Sequence, residues 1–110
     1  MSSENDDANW RDIDDYIASK SKYVGSAEYE GNGKVLIFNS NRKDPHHKGK
    51  WGEDVQFIVK EPTSGIEREV NTTAISLIGG VKEKLRGKEG KDVKLLIKKK
   101  DNKYVVDYAN

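Results

Sequence analysis

NTTAISLIGGVKEKLRG, residues 71–87, is the one convincing helical pattern in the second half of the chain. Ala74, Ile78, Val81 and Leu85 recur at i, i+4, i+7 and i+11, which puts them on one face. Thr72 or Thr73 is the expected cap, because a hydroxyl accepts from the free N–H groups of a first turn. Lys82, Lys84 and Arg86 fill the last turn, where positive charge suits the helix dipole. Gly87 follows as the C′ residue. Gly79 and Gly80 interrupt the pattern, each costing about 1 kcal/mol relative to Ala inside a helix. Either the helix is short, or a neighbouring backbone packs closely there.

Working outward, the helix has strand-like runs on both sides. Before it, residues 54–61 (DVQFIVKE) alternate, with Val55, Phe57 and Val59 on one face and Gln56, Ile58 and Lys60 on the other. A turn at residues 62–65 (PTSG) leads into residues 66–71 (IEREVN), polar on one face. After the helix, residues 87–91 (GKEGK) form a link. Residues 92–100 (DVKLLIKKK) and 103–109 (KYVVDYA) then make a hairpin around Asp101-Asn102.

Further upstream, residues 34–39 (KVLIFN) read as an apolar strand. Residues 23–30 read as a strand joined to it through the Gly31-Asn32-Gly33 turn, as a hairpin or as one long bent strand. Residues 39–52 (NSNRKDPHHKGKWG) carry no helix or strand pattern and are expected to be a long loop. Residues 1–9 are small and polar and are expected to be disordered. Residues 10–19 are expected to be a short helix, with Trp10, Ile13 and Ile17 at i, i+3 and i+7. That helix packs as a lid on a sheet or barrel end. The other reading is that the acidic tail covers the basic surface as an internal mimic of a polyanion.

At 110 residues the chain suffices for one domain with one modest core, expected over residues 22–110 behind an acidic tail of residues 1–21. Cysteine is absent, which excludes disulfides and thiolate metal sites and fits a cytoplasmic protein. No apolar run approaches the roughly 20 residues of a membrane span, and the acidic start is not that of a signal peptide. The net charge of +1 hides an asymmetry. Residues 1–21 hold six acidic and two basic side chains, leaving thirteen acidic and eighteen basic in the rest. A basic body suits a polyanionic partner and also serves solubility.

The order is a long or split strand, basic loop, strand, strand, helix, strand, strand. It resembles single-domain OB-fold proteins that bind single-stranded DNA, of the archaeal, viral or phage kind. The resemblance covers residues 22–110. It is carried by strand order and by the run KWGEDVQFIVKEPTSGIEREVNTTAISLIGGVKEKLRGKEGKDVKLLIKKKDNKYVVDYA. It implies a mostly β domain: a five-stranded OB-type Greek-key barrel with one helix between strands three and four, plus the short N-terminal helix. A small α+β sheet such as a β-grasp is the competing fold. The resemblance also implies a ligand surface on residues 54–61 and 66–71, the 39–52 loop and the 100–103 turn.

Single-stranded nucleic acid is held by cations along its phosphates and aromatic faces on its bases. Trp51, beside Lys50 and Gly52, is the stacking candidate; the other reading is a buried barrel plug. Arg42, Lys43, Lys48 and Lys50 are the phosphate candidates. Ile58 and Lys60 share a strand face, Ile58 as an apolar contact for a base. Arg68 stands at an inward position and either pairs with an acid, snorkels to an edge or reaches the groove. Lys98, Lys99 and Lys100 form either a solvated edge or a nucleic-acid contact. Tyr104 or Tyr108 lines the groove or is buried with its hydroxyl bonded. Phe38 and Phe57 are core residues. His46-His47 lacks a third ligand, so no metal is expected, and no cofactor. No phosphate-binding loop, nucleophile elbow or zinc-protease motif occurs, so no catalysis is expected. The function implied is sequence-tolerant binding of single-stranded DNA or RNA. The alternative is a protein–protein interaction module of a replication or repair assembly, supported by Glu67 and Glu69, whose acidity is unfavourable on a nucleic-acid face.

Overall fold

The strand Gly52–Lys60 (β3) organises the sheet, because three other strands pair with it. The computed structural model describes residues 22–109, so the expected N-terminal tail and helix lie outside the described residues. One edge of β3 takes two strands end to end. β1 (Lys34–Phe38) meets it at Ile37 opposite Lys60, and β2 (Lys43–Gly49) runs from Lys43 opposite Phe57 to Gly49 opposite Gly52. The other edge takes β4 (Glu67–Thr72), from Val55 opposite Thr72 to Lys60 opposite Glu67. β5 (Val93–Lys100) pairs with β1, and β6 (Lys103–Tyr108) pairs with β5. All five ladders are antiparallel. Among the described residues no ladder joins β4 to β6, so the six-stranded sheet stays open.

Three expectations are corrected. The fold is mostly β with one helix, but the sheet has six strands rather than five, and no closed barrel forms among the described residues. Residues 43–49 are a strand and not part of a loop. Pro45 sits where the β2–β3 register shifts between Asp44 and His47, and a bulge on an edge strand is where a sheet tolerates proline. Residues 23–30 form neither a strand nor half of a hairpin. Ser26–Tyr29 is a 3₁₀ turn, and the segment's one β-bridge is the parallel one from Tyr23 to Glu69.

The helix, α1 (Ile75–Leu85), begins later than residue 71. Its N-cap is Ala74 rather than a threonine. The Thr72 hydroxyl instead accepts from the Ala74 N–H at 2.9 Å. Leu77, Val81 and Leu85 are buried, while Ala74 and Ile78 are half-buried. The diglycine has a cause on one side only. A β-carbon on Gly80 would stand 2.6 Å from Val106 Cγ2, because α1 crosses β6 there; one on Gly79 would meet nothing within 4 Å. Gly87 follows the C-cap at φ +78°, as expected of a C′ glycine.

The core lies between the inner sheet face and α1. Leu36 and Phe38 of β1, Phe57 and Val59 of β3, and Leu95 and Ile97 of β5 supply its centre. Phe38 and Phe57 meet edge to face at 5.5 Å. Each such side chain contributes about 1.5–3 kcal/mol of burial.

Candidate functional site

The β2–β3 connection is a two-residue turn. Gly49 pairs with Gly52, and Gly52 stands at φ +122°. Lys50 and Trp51 are therefore forced to the tip. Trp51 is 92% exposed, and the Lys50 ammonium lies 5.4 Å from its ring centroid. The barrel-plug reading of Trp51 fails, because the hairpin carries it away from the core. Lys48 is exposed one step back, opposite Glu53. The adjacent histidines face acids across the hairpin: His46 Nδ1 lies 2.9 Å from Glu53, and His47 Nδ1 lies 2.6 Å from Asp54. The Glu53 carboxylate raises the His46 pKa. Among the described residues no three His, Asp or Glu side chains converge as metal ligands would.

Behind the hairpin, between β2, β3 and α1, lies an open groove of about 410 Å³. Its floor is apolar: Pro45, Val55, Phe57, Ile78, Val81 and Leu85. Lys43, Lys82, Arg86 and Glu89 stand at its rim. The Lys43 ammonium donates to the Ser40 carbonyl, and Arg86 pairs with Glu83 at 2.9 Å.

The outer face of β3 and β4 is different. Ile58 and Lys60 stand opposite Glu69 and Glu67. Arg42 is bound to Glu67 at 2.7 Å, and Lys22 to Glu69 at 3.1 Å. Gln56 also donates to Glu69 at 2.8 Å. Charge on this face is largely matched within the molecule.

Arg68 stands in an ion cluster. Its side chain is 10% exposed and bonds Glu28 at 2.6 and 2.8 Å and Glu61 at 3.1 Å. It also donates to the Tyr23 carbonyl at 3.1 Å. Lys34 joins the cluster, 2.8 Å from Glu61. The Arg68 hydrogen bond holds the Glu28 pKa below the usual carboxylate value, and Glu28 in turn raises that of Arg68. Tyr104 is half-buried, edge to face with Tyr29 at 5.4 Å. Lys100 ends β5 opposite Lys103, across the Asp101-Asn102 turn.

Of the candidate residues, the fold brings together Trp51, Lys50 and Lys48 on one hairpin, with Lys43 at its base. It leaves Arg68 and Tyr104 in internal contacts, Arg42, Ile58 and Lys60 on the β3–β4 face, and Lys100 at the far turn. Sequence reasoning missed the hairpin. The signal for it is the spacing of Gly49 and Gly52 around two residues, masked by Pro45 and by the absence of apolar alternation in an exposed edge strand. The apolar groove was missed too, because its lining comes from both sides of the sheet–helix junction.

Comparison with protein families, with curated proteins and with solved structures finds no match to this chain.

Proposed function

We propose that the chain binds single-stranded nucleic acid without catalysis. In this reading Trp51 stacks on a base, and Lys43, Lys48 and Lys50 contact phosphates. The observation that carries it is the 92% exposure of Trp51 beneath the Lys50 ammonium. Leaving a tryptophan in water forgoes the burial that such a side chain normally supplies. A ring with a cation above it, on a narrow tip, is the surface that stacking uses. The strand pairing supports an OB-type arrangement. β1 and β2 lie end to end as one interrupted strand, followed by β3, β4, helix, β5 and β6, as in a partly open Greek-key barrel. Arg42 and Arg68 are engaged by glutamates and are left out of the proposed contacts.

Tryptophan fluorescence on titration with oligo-dT tests this. The expected result is saturable quenching that weakens with salt. Three phosphate contacts give a slope of about −2 in log affinity against log salt. Trp51→Ala is expected to lose roughly 1–3 kcal/mol of affinity; unchanged affinity removes Trp51 from the site.

The second reading is a protein-interaction module, and the apolar groove of about 410 Å³ favours it. Binding to a protein that is insensitive to salt, with none to oligo-dT, selects that reading.

A further inference from the structure

The outward face of β1, β5 and β6 sets aliphatic side chains among lysines. Strand alternation and register set Val35, Ile37, Leu96 and Val105 on this face. None of these aliphatic side chains is buried, and Val105 is 43% exposed. Around them stand Lys94, Lys98, Lys100 and Lys103, with Lys60 of β3 opposite Ile37. None of these five lysines makes an ion pair among the described residues, whereas Arg42 and Lys22 on the β3–β4 face pair with Glu67 and Glu69. Asp107, opposite Leu96, is the one acid that β1, β5 and β6 themselves place in these rows, and Glu67 of β4 stands beyond Lys60. No aromatic ring lies in the rows, so the face lacks what base stacking needs.

The described chain begins beyond the free edge of β4, across β3 from this surface. Lys22 is held to Glu69 at 3.1 Å, and Tyr23 lies parallel to β4 beside Glu69. Glu67 stands in one cross-strand row with Lys60, Ile37 and Lys94. From Tyr23, outside β4, to β5 is four strand spacings, about 19 Å, and to β6 five, about 24 Å. The residues before Lys22 carry six acids and two bases, with Trp10, Ile13 and Ile17 spaced along them. Twelve residue steps separate Trp10 from Lys22, a span of about 18 Å as helix and about 40 Å extended. The extended length reaches β6, and a wholly helical one falls short of it.

We propose that residues 1–21 of this same chain dock on the outward face of β1, β5 and β6. Their carboxylates pair with Lys60, Lys94, Lys98, Lys100 and Lys103, and Trp10, Ile13 and Ile17 cover the aliphatic rows. The occupant is thus an acidic, amphipathic segment held in place by its own tether, which supplies a high effective concentration. This inference does not depend on nucleic-acid binding by the Trp51 hairpin.

The test uses the full chain carrying Trp51→Phe, in which Trp10 is the sole tryptophan. Trp10 is expected to be shielded from acrylamide at low salt. Adding Lys94→Glu and Lys98→Glu is expected to expose it, with roughly a tenfold shift of the docking equilibrium. Adding Lys43→Glu and Lys82→Glu at the groove rim is expected to leave it shielded. Zero-length carbodiimide cross-links are expected between Asp12, Asp14 or Asp15 and the lysines of this face, within one molecule. Trp10 already open to quencher, release by the groove-rim pair instead, or cross-links only between molecules would each overturn the proposal.

Discussion

Tyr29 buries its ring at 2% exposure but leaves its hydroxyl without a hydrogen-bond partner among the described residues. Burial pushes its pKa upward. An unpartnered buried hydroxyl costs about 1–3 kcal/mol in desolvation. Tyr29→Phe keeps the edge-to-face contact with Tyr104 and removes the orphan, so its thermal midpoint is expected to equal or exceed that of the parent chain. A clear fall on calorimetry would mean that the hydroxyl is bonded. Trp51 is the opposite case: a large ring almost wholly in water. Trp51→Ala is expected to change folding stability by no more than about 0.5 kcal/mol in urea titration, so any loss of oligonucleotide affinity belongs to the contact itself. Trp51 was legible as a candidate from its basic neighbours. Its exposure was not, because a tryptophan beside a glycine reads equally as a plug until the Gly49–Gly52 pairing is known.

At the scale of the element, the diglycine of α1 separates two causes. Gly79 has open space beside it, and Gly80 touches Val106. Gly79→Ala is expected to stabilise the protein by about 1 kcal/mol through helix propensity alone. Gly80→Ala must displace Val106 or move the helix off β6, and overpacking of this kind typically costs 1–3 kcal/mol. Paired chemical denaturation of the two variants reads the difference, which should have opposite signs. Equal effects would mean that α1 does not cross β6 at Gly80. The sequence left a short helix or a close approach at the pair open, and it cannot say which residue faces the neighbour. A helix rotates about 100° per residue, and only the packed partner defines the direction.

At the scale of the molecule, the Arg68 cluster joins segments far apart in the chain. Glu28 of the 3₁₀ turn, Lys34 of β1, Glu61 after β3 and Arg68 of β4 converge on it. Glu28 has a folded-state pKa below its ordinary value of 4.5. Between the two values the unfolded chain binds more protons, so stability there rises with pH. The contribution of Glu28 is complete above about pH 4.5 and is lost as pH falls through the folded value. Glu28→Gln is expected to flatten this part of the acid limb in thermal melts between pH 3 and 6. An unchanged limb would assign it to other carboxylates. Both partners keep some access to water, so the cluster acts as a pin on the 22–30 segment more than as a large source of stability.

Local pattern marked the helix and the strands on either side of it. Alternation in DVQFIVKE marked a strand and its buried face, DVKLLIKKK was read as a strand of a hairpin, and Phe38 and Phe57 lie in the core as read. The turn at Asp101-Asn102 and the glycine after α1 were equally visible, because short-range sterics decide them. Only the tertiary structure decided which strands pair. It made β2 out of a proline-bearing basic stretch, put residues 26–29 into a 3₁₀ turn, and left the sheet open among the described residues. It also decided which cations are matched by acids and which stand free. Pairing and charge matching depend on contacts between residues tens of positions apart, and local pattern carries no information about that distance.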